Sequence, residues 1–421
     1  MKVTLINTSD AGGGAPAACL RLLKALVSQK VDASLLVQYK KTGDERVTGI
    51  VNNKISKLKA QVNFLRERIP FLLFHEKDKS VRFAFSTANA GTSIINQPFV
   101  KEAEILHLHW TNSGFLSVAD LRELVDTGKP IVWTLHDMWA FTGGCHYSGT
   151  CENFMRECGN CPFLRDAGDN DLSHKGWLRK AALFAGAKNI TFVTCSQWLA
   201  GVAKQSSLIK DFRIEAIPNP IDINIFSPKD KIAVRQQRGI DPSAKIILFG
   251  AANINDRRKG ISYLVEALNI LKNEHPEDEK IEVVIFGKNK HFDVTRLPFK
   301  VHELSLITSQ EELAEIYSMA DVFVTPSLED NLPNTIMEAL SCGTPVVAFN
   351  TGGIPEMVDH LQNGYLAQLR SAADMAECLH EILTAIDAAK LSSNARQKVL
   401  DNYTNEKVAK QYNDLYQSII K

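Results

Sequence analysis

The sequence has no apolar run close to the roughly 18–20 residues that a membrane-spanning helix requires, which argues against a transmembrane protein. Met1–Asn7 reads as a strand leading into a glycine-rich turn, and not as the long apolar core of a secretory signal. Neither charge is in excess, because 48 Lys and Arg residues balance 48 Asp and Glu residues. Proteins that bind nucleic acid over their whole surface carry a basic excess. We therefore expect a cytoplasmic protein without a nucleic-acid partner.

Disulfide-forming and metal-binding patterns are also scarce. The eight cysteines are too few for a disulfide scaffold in 421 residues, although four of them are crowded between Cys145 and Cys161. The single Asp-x-Asp triplet, Asp169–Asp171, lies in a polar segment and does not follow a predicted strand. We interpret this triplet as solvated, and we do not expect it to bind a catalytic metal ion.

What the sequence does contain is an alternation of short β-branched runs with segments of helical length. This pattern predicts βαβ units and doubly wound α/β sheets. A single sheet would be unusually long for the whole chain, so we expect two domains. The predicted strands are Val3–Ile6, Ala33–Val37, Ile105–His109, Ile131–His136, Thr191–Cys195, Lys245–Gly250, Glu282–Gly287, Phe299–Leu304, Asp321–Thr325 and Pro345–Phe349.

The domain boundary is expected near Ile217–Asp222, where two prolines interrupt any helix or central strand. We accordingly predict an N-terminal domain over residues 1–216 and a C-terminal domain over residues 217–395. The apolar spacing of residues 392–421 predicts one helix. Its crossover part, residues 396–421, is expected to pack back on the N-terminal domain.

A glycine-rich turn is the first candidate for a functional site. Gly12, Gly13 and Gly14 come directly after the first predicted strand and before a segment of helical spacing. Such a turn lets backbone N–H groups approach an anion at the positive end of a helix. The pattern is not GxGxxG and lacks the Walker lysine. The alternative is a flexible turn that binds nothing.

A pair of carboxylates is the second and more specific candidate. Asp330 lies in the loop after a predicted strand, and Glu338 lies eight residues further on, just inside the following helix. Open α/β sheets bind ligands at the carboxyl ends of their strands, and a carboxylate there can accept both hydroxyls of a ribose. The alternative is a helix cap plus a solvated acid. The residues predicted to contact a ligand are Glu329, Asp330, Asn331, Leu332, Pro333, Asn334, Thr335 and Glu338.

A basic triplet is the third candidate. Arg257, Arg258 and Lys259 follow another predicted strand and precede a helix. Three consecutive cations in this position can neutralise a diphosphate, with bidentate contacts from arginine and a point charge from lysine. The alternative is an ordinary solvated run of charge.

These segments together resemble a known family. Ser327–Ala348 is similar to the nucleotide-sugar signature of family 4 retaining glycosyltransferases, in which two carboxylates separated by seven residues precede Glu-Ala-x-x-x-Gly-x-Pro-Val-Val. Pro218–Asp222 and Arg258–Gly260 stand in the family's order. Trp133–Trp139 and the cysteines after it most resemble bacterial enzymes of colanic-acid and other exopolysaccharide pathways. The resemblance implies the GT-B fold, in which two Rossmann-like domains face each other across a crevice.

The resemblance also implies roles for individual acids and one histidine. Glu338 corresponds to the glutamate that holds the nucleotide ribose. Asp330 corresponds to a glutamate that contacts the transferred sugar, and the neighbouring Glu329 is the alternative for this contact. His136 corresponds to a histidine of the N-terminal domain that lies near the sugar.

The implied reaction moves a hexose from a UDP- or GDP-linked donor to a saccharide acceptor, expected to be lipid-linked, with retention of configuration. Lys259 corresponds to the lysine that binds the donor diphosphate. Asn253 stands where the family often has an arginine, so Arg257 or Arg258 is expected to supply the missing charge. No catalytic metal ion or other catalytic cofactor is implied.

Two other functions fit a chain of two such domains. One is a sugar-nucleotide epimerase of similar architecture, which the combination of Asp330, Glu338 and Arg258–Gly260 disfavours. The other is a non-catalytic sugar-binding protein that closes around its ligand. Such proteins are usually exported, and the expected absence of an export signal disfavours this function.

A basic amphipathic segment predicts contact with a membrane surface. Between residues 51 and 82, apolar residues follow three-four spacing, and Pro70 is expected to end the helix. Residues 52–82 carry eight Lys or Arg against three acids, a local net charge of +5. Basic amphipathic helices lie in the interface of anionic membranes. We therefore expect peripheral contact with the inner face of the cytoplasmic membrane; the alternative is an ordinary domain helix with a solvated basic face.

The crowded cysteines predict a structural zinc site at Cys145, Cys151, Cys158 and Cys161. Their spacing is Cys-x5-Cys followed by Cys-x2-Cys, and four thiolates suit tetrahedral Zn²⁺. His146 is a substitute ligand, and an iron–sulfur cluster, two disulfides or four free thiols are the alternatives. The ion would fix the polar loop at residues 143–171. His107 and His109 are expected to point to opposite faces of their strand, which would prevent them from sharing a metal ion.

Overall fold

The computed structural model describes residues 1–276 and 280–420 and divides the chain into two compact units. Unit 1 consists of Met1–Asn219 together with the described residues from Val408 onward, and unit 2 consists of Pro220–Lys407. Among the described residues, no helix has the combined length and apolar character that crossing a bilayer demands.

Unit 1 is built around a parallel sheet that has seven strands in its described residues. The strand order is β3-β2-β1-β4-β5-β6-β7, and the central strands are apolar on both faces because helices cover both sides. The strands are β1 (Lys2–Ser9), β2 (Asp32–Tyr39), β3 (Val47–Gly49), β4 (Ile105–Leu108), β5 (Ile131–Leu135), β6 (Ile190–Thr194) and β7 (Arg213–Ala216).

Unit 2 repeats this architecture with a six-stranded parallel sheet in its described residues. The order is β10-β9-β8-β11-β12-β13. The strands are β8 (Lys245–Asn253), β9 (Ile281–Lys288), β10 (Lys300–Leu304), β11 (Val322–Thr325), β12 (Val346–Phe349) and β13 (Gly364–Ala367).

Helices connect most of the strands and cover the two sheets. Their bounds are α1 (Gly14–Ser28), α2 (Lys54–Pro70), α3 (Pro98–Glu102), α4 (Val118–Asp126), α5 (Leu172–Phe184), α6 (Gln197–Ala203), α7 (Lys231–Gln237), α8 (Ile261–Glu274), α9 (Gln310–Met319), α10 (Asn334–Ser341), α11 (Ala372–Thr384), α12 (Ala388–Asn402) and α13 (Asn405–Ile420).

All ten strands predicted from the sequence are confirmed, with small shifts at their ends. The sequence did not reveal β3, β7 and β13, which are all edge strands. Residues of β3 and β7 are largely half-buried, so these strands lack the continuous apolar run that marks a central parallel strand. The helix expected to end at Pro70 continues as one π-helical turn over Phe71–His75.

The single helix predicted over residues 392–421 is wrong, because the chain forms α12 and α13 with a break at Tyr403 and Thr404. The Tyr403 carbonyl accepts a hydrogen bond from the Ile221 N–H at 2.9 Å, and Thr404 forms a β-bridge with Ile221. The expected packing on unit 1 is confirmed. The buried face of α13 joins the core formed by β1, β2 and α1, with Val408, Ala409, Tyr412, Leu415 and Tyr416.

Candidate active site

The order of the strands locates a candidate site in each unit. In unit 2 the chain leaves β8 toward β9 and β10 on one side, and then crosses to β11, β12 and β13 on the other. In unit 1 the same reversal occurs between β1 and β4. Doubly wound sheets bind ligands outside the carboxyl ends of their strands at such switch points. The loops after β8 and β11, and after β1 and β4, are therefore the expected ligand-binding loops.

The loop after β8 is held against the loop after β11 by backbone contacts. Arg257–Lys259 form one 3₁₀ turn, capped by the Asp256 side chain, which accepts from the Arg258 N–H at 3.0 Å. Gly260 has φ 72°, and a Cβ added there would lie 1.9 Å from the Pro326 carbonyl oxygen. Only glycine allows so close an approach in this conformation, so the basic turn is fixed next to the acidic loop.

Asp330 lies in this acidic loop, is 7% exposed and contacts two cations. Lys259 Nζ donates to Asp330 Oδ2 at 2.5 Å, and Arg258 Nη1 lies 3.4 Å from the same oxygen. Burial alone would raise the pKa of Asp330, but Lys259 and Arg258 more than offset this and hold the pKa below its usual value. The structure therefore contains a buried, ionised carboxylate that is paired with movable positive charge.

Glu338 lies on the buried side of α10 and is 6% exposed. Its Oε2 accepts a hydrogen bond from the Tyr317 hydroxyl at 3.0 Å. Tyr317 belongs to α9 and is completely buried, so it fixes the carboxylate from the side of the protein. The sequence analysis missed Tyr317, because a single tyrosine in an apolar helix face looks like ordinary core.

The other predicted ligand contacts of unit 2 are only partly brought together. Arg258 donates to the Glu329 carbonyl oxygen at 2.7 Å, so the Glu329 backbone belongs to the cluster. Arg257 is exposed. Asn331, Leu332 and Pro333, which lead into α10, are buried, and the first two residues of α10, Asn334 and Thr335, are half-buried. The side chains of Asp330 and Asp256 both contact the basic turn.

The glycine turn of unit 1 leads from β1 into α1. Gly13 directly precedes the first residue of α1, Gly14, and Gly12 has φ 93°. Asp10 braces the turn, accepting from the Lys41 N–H at 2.7 Å and the Thr42 N–H at 2.9 Å. The backbone N–H groups at the start of α1 thus lie at the switch point of unit 1. They belong to a different unit from Asp330 and Glu338.

His136 follows β5, is half-buried and contacts the buried His109. Its Nε2 lies 3.0 Å from His109 Nδ1, and its Nδ1 lies 3.7 Å from Cys195 Sγ. Burial lowers the pKa of His136 to about 4, although Asp137 acts in the opposite direction. The imidazole is therefore neutral near pH 7.

The prediction that His107 and His109 point to opposite faces is wrong. Their ring centroids are 4.3 Å apart, because residues two apart in a strand share a face. His107 contacts the Tyr416 hydroxyl at 2.6 Å and the Thr134 hydroxyl at 2.7 Å. Burial lowers its pKa to about 3. His107 is a neutral core residue that ties α13 to the sheet.

Asp137 forms a second polar group that the sequence analysis did not find. Its Oδ2 accepts from His146 Nδ1 at 2.7 Å and from Trp110 Nε1 at 3.1 Å. His146 Nε2 in turn contacts the Ser86 hydroxyl at 2.9 Å. Burial would raise the pKa of Asp137, but His146, the Trp139 N–H and His136 together hold the pKa below its usual value. These contacts fix the backbone immediately after His136.

Comparison with protein families identifies the class of protein. Residues 12–225 match the family model described as Glycosyltransferase Family 4, and residues 244–385 match the model described as Glycosyl transferases group 1. The first match alone covers just over half of the chain. The chain therefore belongs to this glycosyltransferase family, as its sequence motifs indicated.

Individual relatives agree with this assignment. A putative colanic acid biosynthesis glycosyl transferase, WcaC of Escherichia coli (strain K12), is 26% identical over 430 residues that cover 100% of both chains. A D-inositol 3-phosphate glycosyltransferase of Pseudarthrobacter chlorophenolicus is 28% identical over 290 residues, covering 66% of this chain and 62% of that relative. The predicted resemblance to colanic-acid enzymes is confirmed.

Solved structures share the fold along the whole chain. Sucrose-phosphate synthase from Thermosynechococcus elongatus matches with a TM-score of 0.68 at 19% identity, covering 100% of this chain and 99% of that one. The Anabaena protein Alr3699/HepE, in complex with UDP and glucose, matches with a TM-score of 0.65 at 16% identity, covering 99% and 100%. At these identities the likeness concerns the fold alone, and it confirms the predicted GT-B architecture.

Proposed function

We propose that this glycosyltransferase moves a hexose from a nucleotide-sugar donor to a saccharide acceptor with retention of configuration, in the biosynthesis of a cell-surface polysaccharide. The observation that carries the proposal is the ion pair between Lys259 and the buried Asp330 at the switch point of unit 2, with Glu338 fixed on the buried side of α10. The relationship to WcaC favours an exopolysaccharide product. The UDP and glucose of the Anabaena protein make UDP-hexoses the first donors to test, before GDP-hexoses.

In this proposal the donor binds mainly to unit 2. Glu338 accepts hydrogen bonds from the ribose hydroxyls, and Lys259 and Arg258 neutralise the diphosphate. Lys259 must then exchange its bond to Asp330 for a bond to a phosphate oxygen. This exchange leaves Asp330 ionised and available to the hydroxyls of the transferred sugar.

Within unit 1, the groups proposed to bind substrate are the glycine turn and His136. Backbone N–H groups at Gly12–Gly14 suit an anionic or hydroxyl-rich part of the donor. A neutral His136 can form a hydrogen bond with a sugar hydroxyl without adding positive charge. Because its ring nitrogens contact His109 and Cys195, this role requires the ring to give up one of those contacts.

Catalysis would consist mainly of positioning and charge stabilisation. The bond between the anomeric carbon and the phosphate oxygen breaks, and the acceptor hydroxyl forms its new bond on the same face. The departing phosphate oxygen takes the proton of that hydroxyl, so no separate base is needed. Lys259, Arg258 and the start of α10 stabilise the charge that develops on the diphosphate, and we expect turnover without added Mg²⁺ or Mn²⁺.

Release of nucleotide with and without acceptor tests this proposal. Release of UDP or GDP that depends on a saccharide acceptor is expected, together with an anomeric configuration preserved in the product. A donor screen by thermal shift comes first, because a ligand that binds only the folded state raises its stability. Conversion of the sugar without acceptor would indicate an epimerase. Binding without turnover under any condition would indicate a sugar-binding protein.

The acceptor is proposed to be lipid-linked because α2 presents an apolar face outward. Ile55, Leu58 and Leu65 are 81%, 62% and 50% exposed, and Leu73 and Phe74 continue this face beyond the helix. An ordinary surface helix buries its apolar side. This one does the reverse, which argues against the alternative of a domain helix with only a solvated basic face.

Polar side chains hold the opposite side of α2 in the protein. Asn63 Nδ2 donates to the Gly91 carbonyl at 2.6 Å, and Arg68 Nη1 donates to the Phe85 carbonyl at 3.0 Å. The acid of this helix, Glu67, is buried and accepts from the Gly114 N–H. The exposed charges of α2 are therefore cationic: Lys54, Lys57, Lys59 and Arg66. An exposed apolar face bordered by cations fits the interface of an anionic bilayer.

A groove of about 440 Å³ opens at the C-terminal end of α2. It is lined by Pro70 of α2 and by Lys175, Leu178 and Arg179 of α5. Arg179 Nη2 donates to the Thr87 carbonyl at 3.0 Å. The two cations suit a phosphate group of a lipid-linked acceptor that approaches along the membrane surface.

Flotation with liposomes tests the membrane contact. The protein should float with vesicles that contain phosphatidylglycerol and remain at the bottom with phosphatidylcholine alone. Replacing Leu58 and Leu65 together by aspartate should reduce the bound fraction at least tenfold, since each leucine loses about 1.5–3 kcal/mol of burial. The control Leu306→Asp changes a 51% exposed leucine of unit 2 and should leave flotation unchanged. Flotation that does not depend on anionic lipid would contradict the proposal.

A further inference from the structure

The four clustered cysteines of unit 1 meet around one small cavity. Cys145, Cys151, Cys158 and Cys161 all line a space of about 20 Å³. A cavity of roughly 10–15 Å³ accommodates one water molecule, so this space suits a single small ion. The eight cysteines, all within the described residues, are free of disulfide bonds. Four cysteines that are up to 16 positions apart in the sequence thus line one cavity.

The Cys-x2-Cys turn, Cys158–Cys161, has an unusual backbone conformation. Cys158, Gly159 and Asn160 have φ values of 56°, 94° and 47°, three consecutive residues in the left-handed region. For Cys158 this conformation is strained, because the Cβ atom crowds the following carbonyl oxygen. Such strain persists where the surroundings fix it, and it clusters at functional and ligand-binding sites. Both cysteines of the turn, Cys158 and Cys161, line the same cavity.

Backbone N–H groups in and around the turn donate hydrogen bonds to a cysteine sulfur, a carboxylate and a hydroxyl. The Gly143 N–H donates to Cys158 Sγ at 3.2 Å. The Cys161 N–H donates to Asp171 Oδ2 at 2.9 Å, and the Gly159 N–H donates to Ser173 Oγ at 2.9 Å. Asp171 is therefore buried and structural, so the interpretation of Asp169–Asp171 as solvated is wrong for this residue.

A buried lysine lies beside the cluster. Lys180 of α5 is 2% exposed, its Nζ donates to the Thr142 carbonyl at 2.9 Å, and burial lowers its pKa to about 7. One divalent ion with four thiolates carries two net negative charges. The N–H···S contact to Cys158 and the protonated form of Lys180 would both stabilise this excess negative charge.

We propose that Cys145, Cys151, Cys158 and Cys161 bind one structural Zn²⁺ ion. Four cysteine ligands suit tetrahedral zinc, and nothing in the site provides for electron transfer by an iron–sulfur cluster. In the described residues, no three His, Cys, Asp or Glu side chains already stand in a metal-binding arrangement. Binding therefore requires the thiols to lose their protons and to turn toward the cavity that they line. His146 is not a ligand, because both of its ring nitrogens have other partners.

A zinc ion bound to Cys145 would stabilise the segment around His136, because the residues next to Cys145 contact that segment. Cys145 forms a β-bridge with Phe85, and the following residue is His146, whose ring holds Asp137. The Met138 N–H also donates to the His146 carbonyl at 2.8 Å. Zinc would thus fix both ends of the segment that begins with His136, and it would close the long loop over residues 143–171.

Elemental analysis of the full chain, purified without a metal-binding tag, tests the proposal. About one zinc per chain is expected, and a mercurial reagent should release it as four thiols react. Cys158→Ser and Cys161→Ser should each reduce the zinc content to less than a tenth. The control Cys378→Ser, which replaces a buried cysteine of unit 2, should retain about one zinc. Chelation should expose the loop to limited proteolysis, and added zinc should restore its protection.

Three results would overturn the proposal. They are four thiols that titrate freely in the folded protein without bound metal, two disulfides among these cysteines, or stoichiometric iron in place of zinc. If the serine variants do not fold, the metal content and the thiol titration of the wild-type chain still decide between these outcomes.

Discussion

Replacing Lys259 by alanine should reduce kcat/KM by roughly ten- to a hundredfold while leaving the fold intact. The lysine makes the short contact with Asp330 in the free protein, and it is the cation proposed to stabilise the leaving diphosphate. Loss of a charge-assisted hydrogen bond costs about 1.5–3 kcal/mol, which corresponds to that range of rates. Nucleotide release with acceptor measures the effect, and circular dichroism confirms the fold.

The companion variant Glu338→Gln should have an effect of the same size. Glutamine preserves the shape of the side chain and can still accept the hydrogen bond from Tyr317, but it lacks the charge proposed to hold the ribose. Loss of this negative charge should lower the affinity for free nucleotide as well as the rate. Lys390→Ala and Glu377→Gln, which alter exposed residues of unit 2, serve as matched controls. Wild-type turnover in both site variants would contradict the proposed donor site.

Replacing Tyr416 by alanine should destabilise unit 1 by about 3–5 kcal/mol, the usual cost of removing a large buried aromatic side chain. Tyr416 is completely buried in the core that α13 shares with β1 and α1, and its hydroxyl contacts His107 at 2.6 Å. All five tryptophans precede residue 219, so their fluorescence follows the unfolding of unit 1. Urea denaturation monitored by this signal therefore measures the effect directly.

Two variants separate the contributions of Tyr416. Tyr416→Phe keeps the ring and removes the hydroxyl, and it should cost about 1–3 kcal/mol because one buried polar contact is lost. Ile420→Ala changes a 43% exposed residue of the same helix and should have little effect. If Tyr416→Ala and Ile420→Ala had equal free energies of unfolding, α13 would not be part of the hydrophobic core of unit 1.

The parts of the candidate site that sequence reasoning located are those built from consecutive residues. Asp330, Glu338 and the basic turn each lie within one loop between a strand and a helix, where local spacing predicts the geometry. Tyr317 and the Asp137–His146 contact join segments that only folding brings together. No local pattern marked them. The same limit applies to the edge strands β3 and β7, whose largely half-buried residues lack a continuous apolar run.

Two sequence predictions are wrong for different physical reasons. His107 and His109 were expected on opposite faces of β4, but residues two apart in a strand share a face. The single C-terminal helix was a reasonable prediction from apolar spacing. It failed because Tyr403 and Thr404 give their backbone groups to the segment around Ile221, a contact between distant parts of the chain.

The return of α13 to unit 1 has a consequence for the order of events during synthesis. Residues 1–219 emerge from the ribosome without the helix that completes their core, whereas unit 2 is one continuous stretch of chain. At roughly 5–20 residues per second, the ribosome needs about 10–40 s to translate the intervening stretch of about 190 residues. During that interval the apolar surface on β1, β2 and α1 is uncovered, so the nascent N-terminal half is the part of this protein that most needs a chaperone.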